Sequence, residues 1–264
     1  MMTYAKEYRF TKPNEQQIIT HDKDKGISIN KYLASTGLTS RRGAETYIKD
    51  GRIRINDQIA TLGDRVNEGD QVFFDLKPIQ PLEEKVYILL NKPEGITCST
   101  DPNIADNIAL FMNYRLPIFP IGRLDKQTTG LILLTNDGDI VNKLLRKEYG
   151  HEKEYLVTLN KTYDDAFIKE MQAGVTIYNL AKNEYVVTDP AVLYPVSEDT
   201  FKIILKQGLN RQIRRMCQTL GYEVTSLKRI RFMHLHLNDL PLGQYRYLTS
   251  NELIELQEQI KNQT

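Results

Sequence analysis

The sequence predicts an α+β protein: a small unit of two helices and short strands, then a larger mixed, mainly antiparallel sheet with flanking helices. Three observations lead there. Residues 27–75 carry two sets of helix start and stop signals, followed by three short strand-like runs. Residues 77–84 break that pattern with two prolines and mixed charges. Beyond them, strand-like runs outnumber helices and do not alternate with them, which excludes a regular β-α-β fold.

The elements follow in chain order. Residues 1–26 mix Lys, Glu, Asp and Gln with little periodicity and are expected to form a loose arm without the apolar core of a secretory signal. Residues 27–76 form the small unit. Ser28 can cap a helix through Leu33 that puts Ile29, Tyr32 and Leu33 on one face, and Gly37 ends it. Thr39 or Ser40 can cap a second helix through Lys49, with Gly51 placed to leave it. Strands fit 52–55, 58–60 and 71–74. Residues 77–84 are the expected linker, and 85–264 the second domain. Its first strand is 85–90, with further strands at 130–135, 154–159, 185–188, 200–206, 222–226 and 233–237. Helices fit 108–112, 139–146, 164–173, 211–220 and 250–261.

Composition narrows the function classes. Forty-one per cent hydrophobic and 26% charged residues over 264 positions fit a soluble protein of the cytoplasm, and no apolar run approaches the roughly 18–20 residues that span a bilayer. The two cysteines, Cys98 and Cys217, lack ligand-type spacing, which argues against a disulfide framework and a zinc site. Net charge is only +1, but its distribution is uneven. Residues 27–54 hold six cations (Lys31, Arg41, Arg42, Lys49, Arg52, Arg54) against Glu45 and Asp50. Residues 206–231 hold seven (Lys206, Arg211, Arg214, Arg215, Lys228, Arg229, Arg231) against Glu223 alone. A polyanion responds to such patches more than to the sum, so two of them favour a nucleic acid partner.

The chemistry-bearing segment is Gly122-Arg123-Leu124-Asp125-Lys126-Gln127-Thr128-Thr129-Gly130, a polar turn between two apolar runs. No Asp, Glu or His adjoins Asp125, so a two-carboxylate site is not indicated. The segment points to one ionised Asp, held by an arginine. Asp125 alone could be a surface turn residue, and Tyr155 alone a strand core residue. His234 and His236 could begin a metal site on one strand face, but no third ligand is evident. No Gly-rich phosphate loop, nucleophile elbow or dinucleotide fingerprint is present.

Two resemblances give these residues roles. Asn30-Lys31-Tyr32-Leu33, Ser40-Arg41-Arg42, Gly51-Arg52-Ile53, Asn56, Gly63-Asp64 and Gly69-Asp70 resemble the S4 RNA-binding fold across 27–75. With Arg41 and Arg42 in the first turn of the second helix, side chains and amide dipoles would face the same phosphates. Lys31 and Arg52 join them as RNA-binding candidates.

From Val86 to Leu256, four motifs in order look like those of bacterial pseudouridine synthases: Asn91-Lys92-Pro93-Glu94-Gly95, Gly122–Asp125, Lys153–Val157, and Gly208–Met216. The match is to the ribosomal-RNA-modifying RsuA group with an N-terminal S4 domain. Gln207–Gln212 and Pro241-Leu242-Gly243 look most like its RluF-type branch, which acts on a uridine of 23S RNA. In that family the enzyme detaches uracil, turns it and rejoins it through carbon 5. The resemblance implies Asp125 as the catalytic carboxylate, Arg214 as the arginine paired with it, and Tyr155 as the aromatic beside the base. It makes Arg123 the side chain that fills the space left by the extruded uridine. Arg211, Gln212 and Arg215 become RNA-facing or structural, and Lys92–Gly95 a supporting turn. No metal or cofactor is implied, a tRNA stem-loop is a further allowed substrate, and a monomer is expected. The rival reading is a non-catalytic S4-domain RNA-binding or ribosome-assembly protein. The presence of Asp125, Tyr155 and Arg214 together favours the enzyme.

Overall fold

The computed structural model describes residues 6–7, 26–145, 150–179 and 182–261. Most of the arm expected over 1–26 therefore lies outside the described residues. Lys6–Glu7 depart from that expectation: they form a two-residue strand paired in parallel with Gln244–Tyr245. Arg146, expected to end a helix, is also outside the described residues, and that helix runs Asp139–Leu145.

The small unit forms much as its caps direct. Ser28 Oγ accepts from the Lys31 amide at 3.4 Å and opens the helix Ile29–Ser35, whose Ile29, Tyr32 and Leu33 are buried. Ser40 Oγ accepts from the Gly43 amide at 3.0 Å ahead of the helix Gly43–Lys49. Arg41 and Arg42 thus lie in the turn before this helix, not in its first turn. The Ala44 amide already bonds to the Ser40 carbonyl at 2.9 Å, so the chain coils at Ser40 and enters regular helix three residues later, at Gly43. Both arginines are exposed. The four-stranded sheet runs in the order Gln58–Ile59, Ile53–Ile55, Val72–Phe74, Lys77–Ile79.

The last of these strands corrects the expected linker over 77–84. Lys77–Ile79 belongs to the small unit as an edge strand, where Pro78 withholds an amide that no neighbour needs. Tyr32 donates its hydroxyl to the Ile79 carbonyl (3.0 Å), and the Leu82 amide bonds to Ser35 (2.8 Å). The connection between units is correspondingly short. Lys31 pairs with Asp139 across them.

In the larger unit, ten strands among the described residues form one sheet. Along its main path the order is Lys6–Glu7, Gln244–Tyr247, Tyr87–Lys92, Thr129–Thr135, Val224–Phe232, Lys153–Leu159, Thr200–Leu205, Val192–Pro195. Pairing is mainly antiparallel. Six successive residues of Thr129–Thr135 pair with Tyr87–Lys92, and Lys153–Leu159 pairs on both edges. The two halves meet at a parallel contact only two residues long, Thr129 opposite Lys228 and Gly130 opposite Arg229. Apolar side chains of the first half fill two cores, one around Leu89, Leu131 and Leu133 and the other around Ile88, Leu90 and Ile132. The second half packs Val157, Phe201 and Ile203 under the helix Gln212–Thr219. No described helix is long and apolar enough to cross a membrane.

The short parallel contact depends on Gly130. Its φ is +103°, and a Cβ there would lie 2.3 Å from the Arg229 carbonyl oxygen. Neither the dihedral nor the space tolerates a side chain. Gly130→Ala should therefore destabilise the fold by about 3 kcal/mol, from backbone strain plus overpacking. Urea unfolding checks this, and a loss below about 1 kcal/mol would show that the seam yields freely.

Candidate active site

The site forms where the two halves of the sheet meet. A cleft of about 550 Å³ is lined by Arg123, Asp125, Thr128, His151, Lys153, Tyr155, Asn210, Arg211, Gln212 and Arg229, among others. Asp125 is half-buried within it, and Arg123 is exposed at its edge. The loop bearing Asp125 is held almost wholly through its backbone. The Thr128 amide bonds to the Asp125 carbonyl (2.9 Å), closing the turn, and the Leu124 amide bonds to Cys98 Sγ (3.4 Å) while its side chain is buried. The Lys126 carbonyl accepts from the Gly95 amide (2.9 Å). Lys126 itself pairs with Asp106.

Lys92 is the least expected part of this arrangement. It is fully buried at the end of the strand Tyr87–Lys92, and its ammonium donates to Pro93 and Ile96 (2.9 Å each) and to Lys126 (3.4 Å). Three donors meet three carbonyls, so the charge is solvated by backbone. Burial lowers its pKa, and the charges of Cys98, Asp125 and Glu94 oppose that. Lys92 ties the expected supporting turn to the residue following Asp125. A lysine closing an otherwise apolar strand was the available sign of it.

Arg214 differs from expectation. Among the described residues Asp125 has no ion pair within 4 Å, so the two do not form a direct bridge. The Arg214 guanidinium instead donates to the carbonyls of Val224 (2.9 Å) and Gln127 (3.2 Å), and its buried Nε lacks a partner. Burial, then Arg211, lower its pKa, while Asp125 and Glu94 act in the other direction. It therefore reaches the carboxylate through the field and braces the Asp125 loop through Gln127. The nearer acceptors are backbone oxygens, which hold a guanidinium without the close approach of a second charge.

Tyr155 stands in the strand Lys153–Leu159, half-buried between two cores, and its hydroxyl makes no hydrogen bond among the described residues. Arg229 lies directly across from it on the neighbouring strand, and Lys153 lies two residues before it on the same face. Neither was picked from the sequence as a site residue. Arg229 is 4% exposed, donates from Nε to the Leu131 carbonyl (2.7 Å), and sits over the Phe232 ring. Lys153 donates to the carbonyls of His151 and Lys206 (2.9 Å each). Burial, then the charge of Arg229, lowers its pKa to about 8. Two-residue periodicity with Tyr155 would have found Lys153. Arg229 needed the strand pairing.

The remaining candidates separate. Arg211 opens the helix Gln212–Thr219 with a left-handed φ of +50° and reaches Gln127 Oε1 (3.4 Å), joining helix to loop. Gln212 is buried, and its side-chain oxygen accepts from the Leu209 amide (3.0 Å), a structural task. Arg215 binds the Tyr178 carbonyl (2.7 Å) and Asn210 Oδ1 (2.9 Å). Arg52 is engaged within the small unit: it pairs with Asp75 and lies over the rings of Tyr47 and Phe74. Lys31 is taken by Asp139, which leaves Arg41 and Arg42 as the exposed cations of the four small-unit candidates. His234 bonds to the Glu252 carbonyl (2.9 Å) and Gln259 (3.2 Å), and His236 is exposed.

Comparison with known proteins agrees with this architecture. Residues 86–219 match the family model described as RNA pseudouridylate synthase, and residues 28–72 match the S4 domain. The chain is 47% identical over 241 residues to a dual-specificity RNA pseudouridine synthase, RluF, of Escherichia coli O6:H1, covering 90% of this chain and 81% of that one. It is 34% identical to ribosomal large subunit pseudouridine synthase B of Bacillus subtilis, over 86% of this chain and 94% of that one. A solved pseudouridylate synthase superposes with a TM-score of 0.63 at 30% identity, covering 88% of this chain and 100% of that one. With its cleft at the seam of the sheet and its small helix-and-strand unit ahead of it, the chain belongs to the RNA pseudouridylate synthase family and carries an N-terminal S4 domain.

Proposed function

We propose that this protein converts a uridine of 23S ribosomal RNA to pseudouridine in the cytoplasm, with Asp125 as the catalytic carboxylate. The observation carrying this is one cleft that holds Asp125 on one wall and Tyr155 with Arg229 and Lys153 on the other. Its volume of about 550 Å³ suits a single extruded nucleoside. The name of the relative from Bacillus subtilis supports ribosomal RNA as the substrate class, and the dual-specificity relative from Escherichia coli leaves a second RNA, such as a tRNA stem-loop, open to this chain. The protein acts as a monomer in this reading.

The reaction is an isomerisation. The bond from uracil N1 to the ribose breaks, the base turns, carbon 5 bonds to the same ribose carbon, and the proton on carbon 5 leaves as N1 gains one. Asp125 begins it, by attack on the ribose carbon or by removing a ribose proton. Tyr155 packs on the base and offers its free hydroxyl for proton movement. Arg123, exposed at the rim, fills the stack that the uridine vacates, and its planar cation suits both bases and phosphate. Lys92 and Arg214 keep the Asp125 turn in place, which matters because misplacement by about 1 Å can cost on the order of 100-fold in rate.

Asp125→Asn should bind 23S transcripts with wild-type affinity and form no pseudouridine, read by carbodiimide-dependent primer-extension stops. Equal stops from both proteins would remove Asp125 from the mechanism.

Arg41 and Arg42 supply phosphate contacts away from the cleft. Replacing both with Ala should make the slope of log affinity against log salt shallower by about 1.5, since each phosphate left unneutralised removes about 0.7–0.9 from it. An unchanged slope would take the S4 turn out of the RNA interface.

The cleft should also show a pH dependence. Lys153 is charged below its pKa of about 8 and neutral above it, so attraction for phosphate falls as pH rises through 8. RNA affinity should decline between pH 7 and 9 in the wild type. In Lys153→Arg the decline should vanish, because a guanidinium keeps its charge. The same decline in both proteins would assign it to another group.

A further inference from the structure

A second surface lies beside the cleft, on the hairpin formed by Thr176–Asn179 and Glu184–Val187. One face of this hairpin is core: Ile177 is 1% exposed and packs with Ile213, Met216 and Cys217 of the helix Gln212–Thr219. The other face carries Thr176, Tyr178, Tyr185 and Val187, by the two-residue alternation of a strand. It has no covering element among the described residues. Tyr185 is 75% exposed, Val187 65% and Tyr178 37%.

The two tyrosines are directly paired in register, and their rings meet edge to face with centroids 5.2 Å apart. The Tyr178 hydroxyl is fixed by Asn183 Oδ1. The hairpin is fixed to the cleft in turn. Arg215 donates to the Tyr178 carbonyl (2.7 Å) and to Asn210 Oδ1 (2.9 Å), and Asn210 lines the cleft. This is a rigid aromatic pair held in water at the margin of a cationic site, where a fold without a partner for it would place polar side chains.

We propose that Tyr185, supported by Tyr178, is a stacking platform for an unpaired base of the substrate RNA next to the target uridine. The inference rests on the cleft being the site of RNA modification. Three features favour RNA over protein as the occupant. The hairpin is bonded to the cleft margin through Arg215, which holds both the Tyr178 carbonyl and Asn210, and the adjoining helix end carries Arg211. Tyrosine offers a flat ring to any base without reading its edge. The area is also wrong for a dimer: two aromatic rings cover roughly 150–250 Å² each when buried, against about 800 Å² per partner in a stable interface.

The chain contains no tryptophan, so a single tryptophan placed here reports on this site alone. The test uses the full-length protein and a 23S fragment that the wild type is shown to modify. Tyr185→Ala should raise the dissociation constant about tenfold, as expected for removal of one base–aromatic stack. Tyr185→Trp should bind within threefold of wild type, with its emission quenched as RNA is added, also in an Asp125→Asn background where no chemistry occurs. Unchanged affinity for Tyr185→Ala, or emission indifferent to saturating RNA, overturns the proposal. So does a dimer that Tyr185→Ala dissolves without altering RNA affinity. If the wild type fails to modify the fragment at all, the reading of the cleft fails first, and that result is separate from the stacking measurement.

Discussion

The close approach of Gly130 to Arg229 is the contact on which the site depends. Only two residue pairs join the strands of the two half-sheets, although Phe232 and Leu235 from the second half pack into the core around Leu89 and Leu131. On one side of the seam the chain has just left the Asp125 turn. On the other, Arg229 faces Tyr155 across a strand pair. The distance between acid and aromatic is therefore set by a backbone contact, not by any side-chain pairing. Arg229 reinforces it by donating across the seam to the Leu131 carbonyl. A residue with a Cβ at position 130 would wedge the halves apart where the cleft needs them closest.

The electrostatics follow from which acceptors the cations use. Away from the cleft, positive side chains meet carboxylates: Arg52 with Asp75, Arg246 with Glu252, Arg231 with Glu152 and Glu154. Around the cleft, Lys126 alone of the cations described above takes a carboxylate, Asp106, whereas Lys92, Lys153, Arg214 and Arg229 meet carbonyl oxygens. Carbonyls hold these groups in place without cancelling their charge. A chain of net charge +1 thus keeps a positive field at the point where a phosphate backbone must approach. The same choice explains Arg214, which secures the Asp125 turn by its backbone and leaves the carboxylate free of a bridge that substrate would have to break.

Much of this was legible in the sequence, because local signals and tertiary demands agree there. Ser28 and Ser40 cap the turns expected of them, the strand 130–135 lies as read, and Asp125 falls in the turn between apolar runs. The failures have a common cause: they depend on partners distant in the chain. Lys77–Ile79 reads as linker because Pro78 discourages a strand, and only its edge position permits one. Val224–Phe232 extends well past the expected 222–226, because its charged Arg229 and Arg231 are satisfied by Leu131, Glu152 and Glu154. Arg52 counted as a free cation until Asp75, 23 residues on, claimed it. Lys92 looked like part of a turn motif: its Pro93 and Ile96 partners are local, but the third carbonyl, of Lys126, appears only once the Asp125 loop lies over it.

The corrected linker also limits how the two units can share one RNA. With Lys77–Ile79 built into the small sheet and Leu82 bonded back to Ser35, few residues remain to separate the units. The Lys31–Asp139 pair holds the small unit near the residues that follow Thr135. The Asp125 turn lies at the opposite end of the same seven-residue strand, Thr129–Thr135. At about 3.3 Å per residue those ends are roughly 20 Å apart. A lone nucleoside in the cleft cannot touch both. On the proposed reading, an RNA that uses the S4 arginines and Asp125 together must reach between the two ends of that strand, which favours a folded segment with two presented faces over an isolated strand end. Affinity and chemistry, in that reading, rest on separate contacts, and a target is selected when its own shape delivers a uridine to Asp125 while its backbone reaches Arg41 and Arg42.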